Sequence, residues 1–195
     1  MINTDDIALQ LGQTGLCVVP NFVDAKLVQA IRSDLKMLKK SGVFIRAGTG
    51  QGVNLAIRQD VRRDEIYWLD ELTANLVQQQ LWLKVNALKQ SLNRVLYLGL
   101  REFEGHYASY PKGGFFTRHR DSFQRDHSRR VTLILYLNPL WKFHHGGHLR
   151  VYTPGKTLDI EPLGGTLVCF LSHELEHEVL LSSHRRLSFS GWFKA

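Results

Sequence analysis

The triplet His119-Arg120-Asp121 places an imidazole and a carboxylate two positions apart. On an extended strand such residues project from one face, so both can reach a single ion. A third ligand has to come from a distant strand. His177 is the candidate, and it completes a set of two histidines and one carboxylate, which leaves positions open on Fe(II). Dioxygen and a chelating co-substrate need those open positions side by side. Arg186, nine residues after His177 at the start of the last apolar run, fits the same chemistry. A dicarboxylic keto acid chelating iron through one end needs a fixed bidentate cation for its distal carboxylate, and Arg supplies that better than Lys. Tyr136, within Leu135-Tyr136-Leu137-Asn138, can add a hydroxyl to the same carboxylate.

A second motif competes for His177. His173-Glu174-Leu175-Glu176-His177 matches the zinc-peptidase pattern, which needs both histidines on one helical face and a further ligand downstream. The continuation fails: Leu180 stands where one form of the motif has Gly, His184 is offset by one position, and the flanks read as strand and turn. His144, His145 and His148 flank Gly146-Gly147 and read as decoration of an exposed hairpin. The basic stretches Arg58 to Arg63 and Arg125 to Arg130 lack the interleaved aromatics of a stacking platform. They read as solvated loop faces, and nucleic acid is not the expected partner.

The elements that must position these residues divide the chain. All nine histidines lie beyond residue 105, so the chemistry is C-terminal and the first half is support. From Asp24 as N-cap, Leu27, Val28, Ile31, Leu35 and Leu38 keep one helical face apolar, and Gly42 stops the helix. A second helical pattern runs from Leu72 to Val95, and a short strand, Cys17 to Val19, precedes the first helix. Val43 to Asp64, rich in Gly and Arg, reads as a loop or mobile hairpin of the kind that covers a site. From Leu96 onward short β-rich runs (Val131 to Leu137, Leu149 to Tyr152, Thr166 to Phe170, Leu187 to Phe193) alternate with Gly and Pro turns. The pattern predicts one α+β domain, a sandwich or jelly roll buttressed by N-terminal helices.

Composition sets the bounds. With 195 residues, 44% hydrophobic and 22% charged, the chain is not disordered, collagenous or membrane-spanning. Its strongest apolar stretch, Val131 to Trp141, is broken by Asn138 and Pro139 and falls short of the roughly 20 residues a membrane helix needs. Cys17 and Cys169 sit in apolar runs as buried thiols, and Asp5 and Asp6 occupy a position where a signal peptide is basic. A cytoplasmic location is expected. The net charge of +7 favours acidic partners without naming one.

Tyr110-Pro111, Arg118-His119-Arg120-Asp121, Tyr136-Leu137-Asn138, Gly146-Gly147-His148-Leu149-Arg150, Glu161-Pro162, His177-Glu178-Val179, Arg186 and Trp192 occur in an order and spacing that resemble one family. It is the 2-oxoglutarate and Fe(II)-dependent dioxygenases, in particular the prolyl hydroxylase group that includes the hypoxia-sensing enzymes and their bacterial relatives. Gly15 to Val19 and Arg63 to Trp68 extend the resemblance over nearly the whole chain. It implies a double-stranded β-helix (jelly-roll) core within a single domain, 1–195, of which 1–95 is mainly helical support, 43–64 a mobile finger and 96–195 the catalytic core. It further implies His119, Asp121 and His177 as iron ligands, and Arg186, assisted by Tyr136, as the holder of the distal carboxylate of 2-oxoglutarate. Tyr110 would lie near the keto-acid end, Leu149 and Val179 would wall the pocket, and Arg129 and Trp192 would meet the substrate.

Three departures bear on the substrate surface: one residue fewer between Tyr110 and His119 than in the animal enzymes, Phe116 in place of a Tyr, and Arg63 in place of a usual Gly. The implied reaction hydroxylates a prolyl residue in a protein and releases succinate and CO2. Elongation factor Tu or another translation component is the first candidate target, and ascorbate a candidate reductant. The alternative from another class is a non-catalytic binding module on the same scaffold. Retention of His119, Asp121, His177 and Arg186 argues against it.

Overall fold

A computed structural model describes residues 3–50, 56–122 and 128–195. Helix α1, Thr4–Thr14, starts at a capping box between Asn3 and Asp6 and ends at Gly15, whose φ of 70° admits glycine at low cost. Strand β1, Leu16–Val19, leads through the Asp24 cap into α2, Ala25–Lys40. Strands β2, Ile45–Arg46, and β3, Glu65–Leu69, form a hairpin base. Helix α3 spans Leu76–Leu96. The chain continues as β4 (Glu102–Tyr110), β5 (Gly114–His119), β6 (Arg129–Tyr136), β7 (Leu149–Thr153), β8 (Lys156–Ile160), β9 (Leu167–Leu171), β10 (Glu176–Ser182) and β11 (Arg186–Lys194).

The strands make two antiparallel sheets, one ordered β1-β9-β6-β11-β4-β3-β2 and the other β5-β10-β7-β8. Strand alternation divides the larger sheet cleanly. Val131, Leu133 and Leu135 of β6, Tyr107 of β4, and Phe189 and Phe193 of β11 pack against Ile7 and Leu11 of α1, Ile31 and Leu35 of α2, and Leu81, Val85 and Leu88 of α3. Their neighbours in sequence, Ile134, Tyr136, Ala108 and Tyr110, turn inward toward Leu149, Val151 and Val179 of the smaller sheet. The expected jelly roll with buttressing helices is what forms. No helix among the described residues is long and apolar enough to cross a membrane.

The helices are clamped by a buried carboxylate. Asp34 of α2 accepts from Asn75 Nδ2 (2.7 Å), Gln78 Nε2 (2.9 Å) and Tyr107 Oη (2.9 Å), so it joins α2 to the start of α3 and to β4. Removing it leaves three inward-facing donors without an acceptor. Asp34→Ala is expected to lower stability by at least about 2 kcal/mol, read as a lower urea midpoint at unchanged slope; an unchanged midpoint would contradict the clamp.

The structure corrects one expectation and adds detail to two others. The second long helix begins at Leu76 rather than Leu72, because the Asn75 side chain captures the Val77 and Gln78 amides; Leu72 lies in a short 3-10 turn and is fully exposed. The first 95 residues are more than helical support, since they supply β1, β2 and β3 to the larger sheet. Segment 43–64 is tied at both ends: Ile45 and Arg46 pair with β3, Thr49 bridges Ala56, and Val61 and Arg63 exchange backbone bonds with Thr117 and Phe115. Its tip, 51–55, lies outside the described residues, as does 123–127, which includes the first part of the basic stretch from Arg125.

Candidate active site

Strand pairing does what the sequence spacing could only suggest. In the β5–β10 register His119 lies directly opposite His177, and Asp121 follows in the turn after β5. His119 Nε2 is 3.5 Å from one Asp121 oxygen, and His177 Nε2 is 3.6 Å from the other. One ligand atom from each of the three residues falls within 4.8 Å of the others. Ligands in cis about an ion at roughly 2.1 Å sit about 3 Å apart, so small rotations close the site on a metal.

The histidine tautomers are set by the backbone. His119 Nδ1 lies 2.7 Å from the Thr117 carbonyl and His177 Nδ1 3.5 Å from that of Leu175. Each Nδ1–H therefore donates to a carbonyl and leaves Nε2 as the free donor to a metal. Ring orientation is fixed by packing: Phe116 stacks on His119 with centroids 3.6 Å apart, and Phe170 lies 4.6 Å from His177.

Electrostatics keep the set in ligating form. Burial opposes ionisation of Asp121, but His177 and His119 outweigh it and hold the carboxyl well below the usual range. Burial pushes His177 down to about 4, against the pull of Asp121. Burial and then Arg62 push His106 down to about 3. Both rings are neutral when folded, whereas an unfolded histidine takes a proton near pH 6.5. Stability of the metal-free protein is therefore undiminished above that pH and falls below it, by about 1.4 kcal/mol per pH unit for each ring, until pH nears the folded values of about 4 and about 3. Chemical denaturation from pH 7 to 4 measures this, and a flat profile would contradict the neutral, buried state of the two rings.

Behind Asp121 lies a polar relay absent from the sequence reading. Thr132 Oγ1 donates to Asp121 Oδ2 at 2.8 Å and sits 2.9 Å from Ser172 Oγ, all buried. Outer partners of this kind orient a ligand, and their loss costs about 10- to 100-fold in metal affinity. Thr132→Val should show that loss in chelator competition with the fold intact; unchanged affinity would exclude the relay from metal binding.

One cavity of about 730 Å³ is lined by the triad and by Arg186, Tyr110, Leu149 and Val179. Arg186 begins β11 opposite Tyr110, and its guanidinium stands 5.0 Å from the rings of both Tyr110 and Tyr136. It is 1% exposed, and its Nε and Nη2, together with the Tyr136 hydroxyl beside it, make no hydrogen bond of good geometry among the described residues. A buried cation and a buried hydroxyl left unsatisfied are costly unless something else completes them. A ligand carboxylate has the charge and the acceptor geometry to do so. The residues thus fit both groups that the resemblance implies: a divalent metal at the triad and a dicarboxylic keto acid reaching from it to Arg186.

On the outer side of the cavity Arg129 stacks on Trp192 at 3.6 Å and bonds Glu104 through Nε at 2.7 Å. The two expected substrate residues therefore stand together, held by a carboxylate that the sequence did not single out. Another correction concerns Arg62, expected on a solvated face. It is largely buried, bonded twice to the fully buried Asp64 (2.7 and 2.6 Å) and placed 4.2 Å over Phe116. It thereby backs the ring that orients His119. His148, expected on an exposed hairpin, is buried against Phe143. The peptidase pattern dissolves: His177 sits on a strand, and His173 lies in the preceding turn, half exposed beside Glu174.

The comparisons with known proteins agree with this geometry. Residues 105–194 match the profile of the 2OG-Fe(II) oxygenase superfamily. A solved prolyl-4-hydroxylase from Pseudomonas putida is 35% identical, with a TM-score of 0.89 over 98% of both chains. A Trichoplax adhaerens prolyl hydroxylase, solved with a peptide fragment of the hypoxia-inducible factor oxygen degradation domain, is 25% identical with a TM-score of 0.81, covering 98% of this chain and 88% of that one. Egl nine homolog 1 of Homo sapiens is 29% identical over 94% of this chain and 44% of its own. The chain spans roughly half the length of the curated relatives it matches, 44 to 56%. It belongs to the 2OG-Fe(II) oxygenases, in their prolyl 4-hydroxylase group, and its jelly roll is the double-stranded β-helix of that family.

Proposed function

We propose that the chain hydroxylates a prolyl residue in a protein, using Fe(II), 2-oxoglutarate and dioxygen. The observation that carries the reading is Arg186, buried beside Tyr136 with unsatisfied guanidinium nitrogens, in the same cavity as His119, Asp121 and His177. When bound, iron and 2-oxoglutarate supply the oxidising chemistry that places one oxygen on a C–H bond and yields succinate and CO2. The chain's own residues hold and orient. His119, Asp121 and His177 would hold the metal from the β5–β10 side, with the cavity beside them available to the keto acid. Arg186 and Tyr136 fix the far carboxylate, Leu149 and Val179 exclude water along its length, and Tyr110 flanks the guanidinium.

A protein substrate is favoured by the Arg129–Trp192 shelf and by the β2–β3 segment, which serves as the finger of a single domain, 1–195. Elongation factor Tu is the first candidate because the resemblance to bacterial prolyl hydroxylases points to the translation machinery. Ascorbate serves as an accessory reductant of the iron, and the buried free thiols Cys17 and Cys169 suit a cytoplasmic setting. The test is incubation of purified protein, Fe(II) and 2-oxoglutarate with elongation factor Tu and with a lysate proteome. A gain of one oxygen at a specific proline is the expected mass-spectrometric result. Keto-acid turnover with no proline modified in any protein would overturn the prolyl assignment.

A further inference from the structure

One polar atom in the same cavity is left over once the metal and keto acid are accommodated. His106 of β4 is 4% exposed and lines the cavity, and its Nδ1 has no hydrogen-bond partner among the described residues, whereas the indole N–H of the neighbouring Trp192 is directed at the Asp121 carboxylate. Strand pairing puts His106 beside Trp68 of β3 on one side and Ser190 of β11 on the other. Its ring sits between two indoles, with centroids 4.8 Å from Trp68 and 5.4 Å from Trp192. Apolar walls on both faces hold the imidazole in place and offer its nitrogen nothing. A core position with this packing is better filled by Phe or Leu, since a buried polar atom without a partner costs stability. Arg186 and Tyr136 show the same signature where a ligand group is expected.

We propose that His106 is a substrate-positioning residue whose Nδ1 accepts a hydrogen bond from the backbone N–H of the residue that follows the target proline. The inference rests on the prolyl-hydroxylase reading. Proline has no N–H of its own, so the next amide is the nearest backbone donor that can report where the ring lies. The substrate class that fits is an extended prolyl segment recognised through its main chain, with sequence discrimination left to the rim.

The test uses the complete protein loaded anaerobically with Fe(II) and 2-oxoglutarate. The probes are acetyl-Ala-Pro-Ala-methylamide and its analogue in which an ester replaces the amide bond after proline, which deletes that N–H and weakens the proline carbonyl as an acceptor, a second effect common to wild type and variants. Calorimetric titration of the wild type should show the ester binding about fivefold to tenfold more weakly. His106→Phe should bind the amide more weakly and keep only the part of the difference that the carbonyl contributes, and His106→Gln, which restores an acceptor, should recover part of the preference. The metal-free His106→Phe protein should also melt at a higher temperature than the wild type. Equal binding of ester and amide by the wild type, or an undiminished preference in His106→Phe, overturns the inference while leaving the prolyl reading standing. A wild type that binds neither probe contradicts both, and the proteome experiment then separates them: a proline modified there leaves only this inference refuted.

Discussion

Replacing Arg186 by Met is expected to abolish keto-acid binding and at the same time leave the empty protein as stable as, or more stable than, the wild type. The two effects have one cause. Arg186 is 1% exposed, flanked by two tyrosine rings and paired with no carboxylate among the described residues, so in the ligand-free protein these residues leave its buried charge without a counterion. Exchanging such a group for an apolar one of similar volume relieves a desolvation cost, whereas taking one partner from a completed buried pair costs about 3–5 kcal/mol, or roughly 150- to 5,000-fold in affinity. In thermal melts, 2-oxoglutarate at 100 times its Kd should stabilise wild-type protein loaded with a redox-silent divalent metal by about 2.7 kcal/mol. It should leave Arg186→Met unmoved. A variant that melts far lower when empty would show that Arg186 is structural, and one that still binds the keto acid would remove it from the site.

The second large effect is expected at Asp121. Its two oxygens face the two histidines at 3.5 and 3.6 Å, and it is the only carboxylate in the triad. Asp121→Ala removes one of three ligands and the only negative charge that offsets the metal. The loss of affinity should exceed the roughly 100-fold at the upper end for an outer partner, and the Fe(II)-induced rise in melting temperature should vanish. The test distinguishes this from misfolding, because the variant retains Thr132, Ser172 and the packing of Phe116 on His119. Retained metal-induced stabilisation would mean that the ion is held elsewhere.

The sequence made some of this visible and hid the rest for identifiable reasons. His119, Asp121, His177 and Arg186 could be found because their chemistry is specific and two of them stand two positions apart, although Asp121 falls in the turn after β5 and not on the strand. Their convergence rests on the β5–β10 register, which local pattern does not determine. Arg62 looked like one more loop arginine because nothing local marks Asp64, two residues on, as fully buried, or Phe116 as lying beneath it. Thr132 in an apolar strand and Ser172 in the turn after another are small polar residues, ordinary in sequence, and they gain meaning only when the sheet brings them behind Asp121. His148 misled in the opposite direction: flanking glycines suggested an exposed turn, while the strand that follows carries it into the core. The helices were legible from their apolar period, but the start of α3 depended on Asn75 capturing two amides, a competition between neighbouring caps that period alone does not settle.

The most direct measurement is anaerobic addition of Fe(II) and 2-oxoglutarate to metal-free protein while recording the visible iron-to-keto-acid charge-transfer absorption. The band should appear with the wild type at equimolar metal, should fail with Asp121→Ala, and should fail or require far more keto acid with Arg186→Met. A protein that binds Fe(II) at the triad yet shows no band at any keto-acid concentration would contradict the assignment of the cavity to that pair.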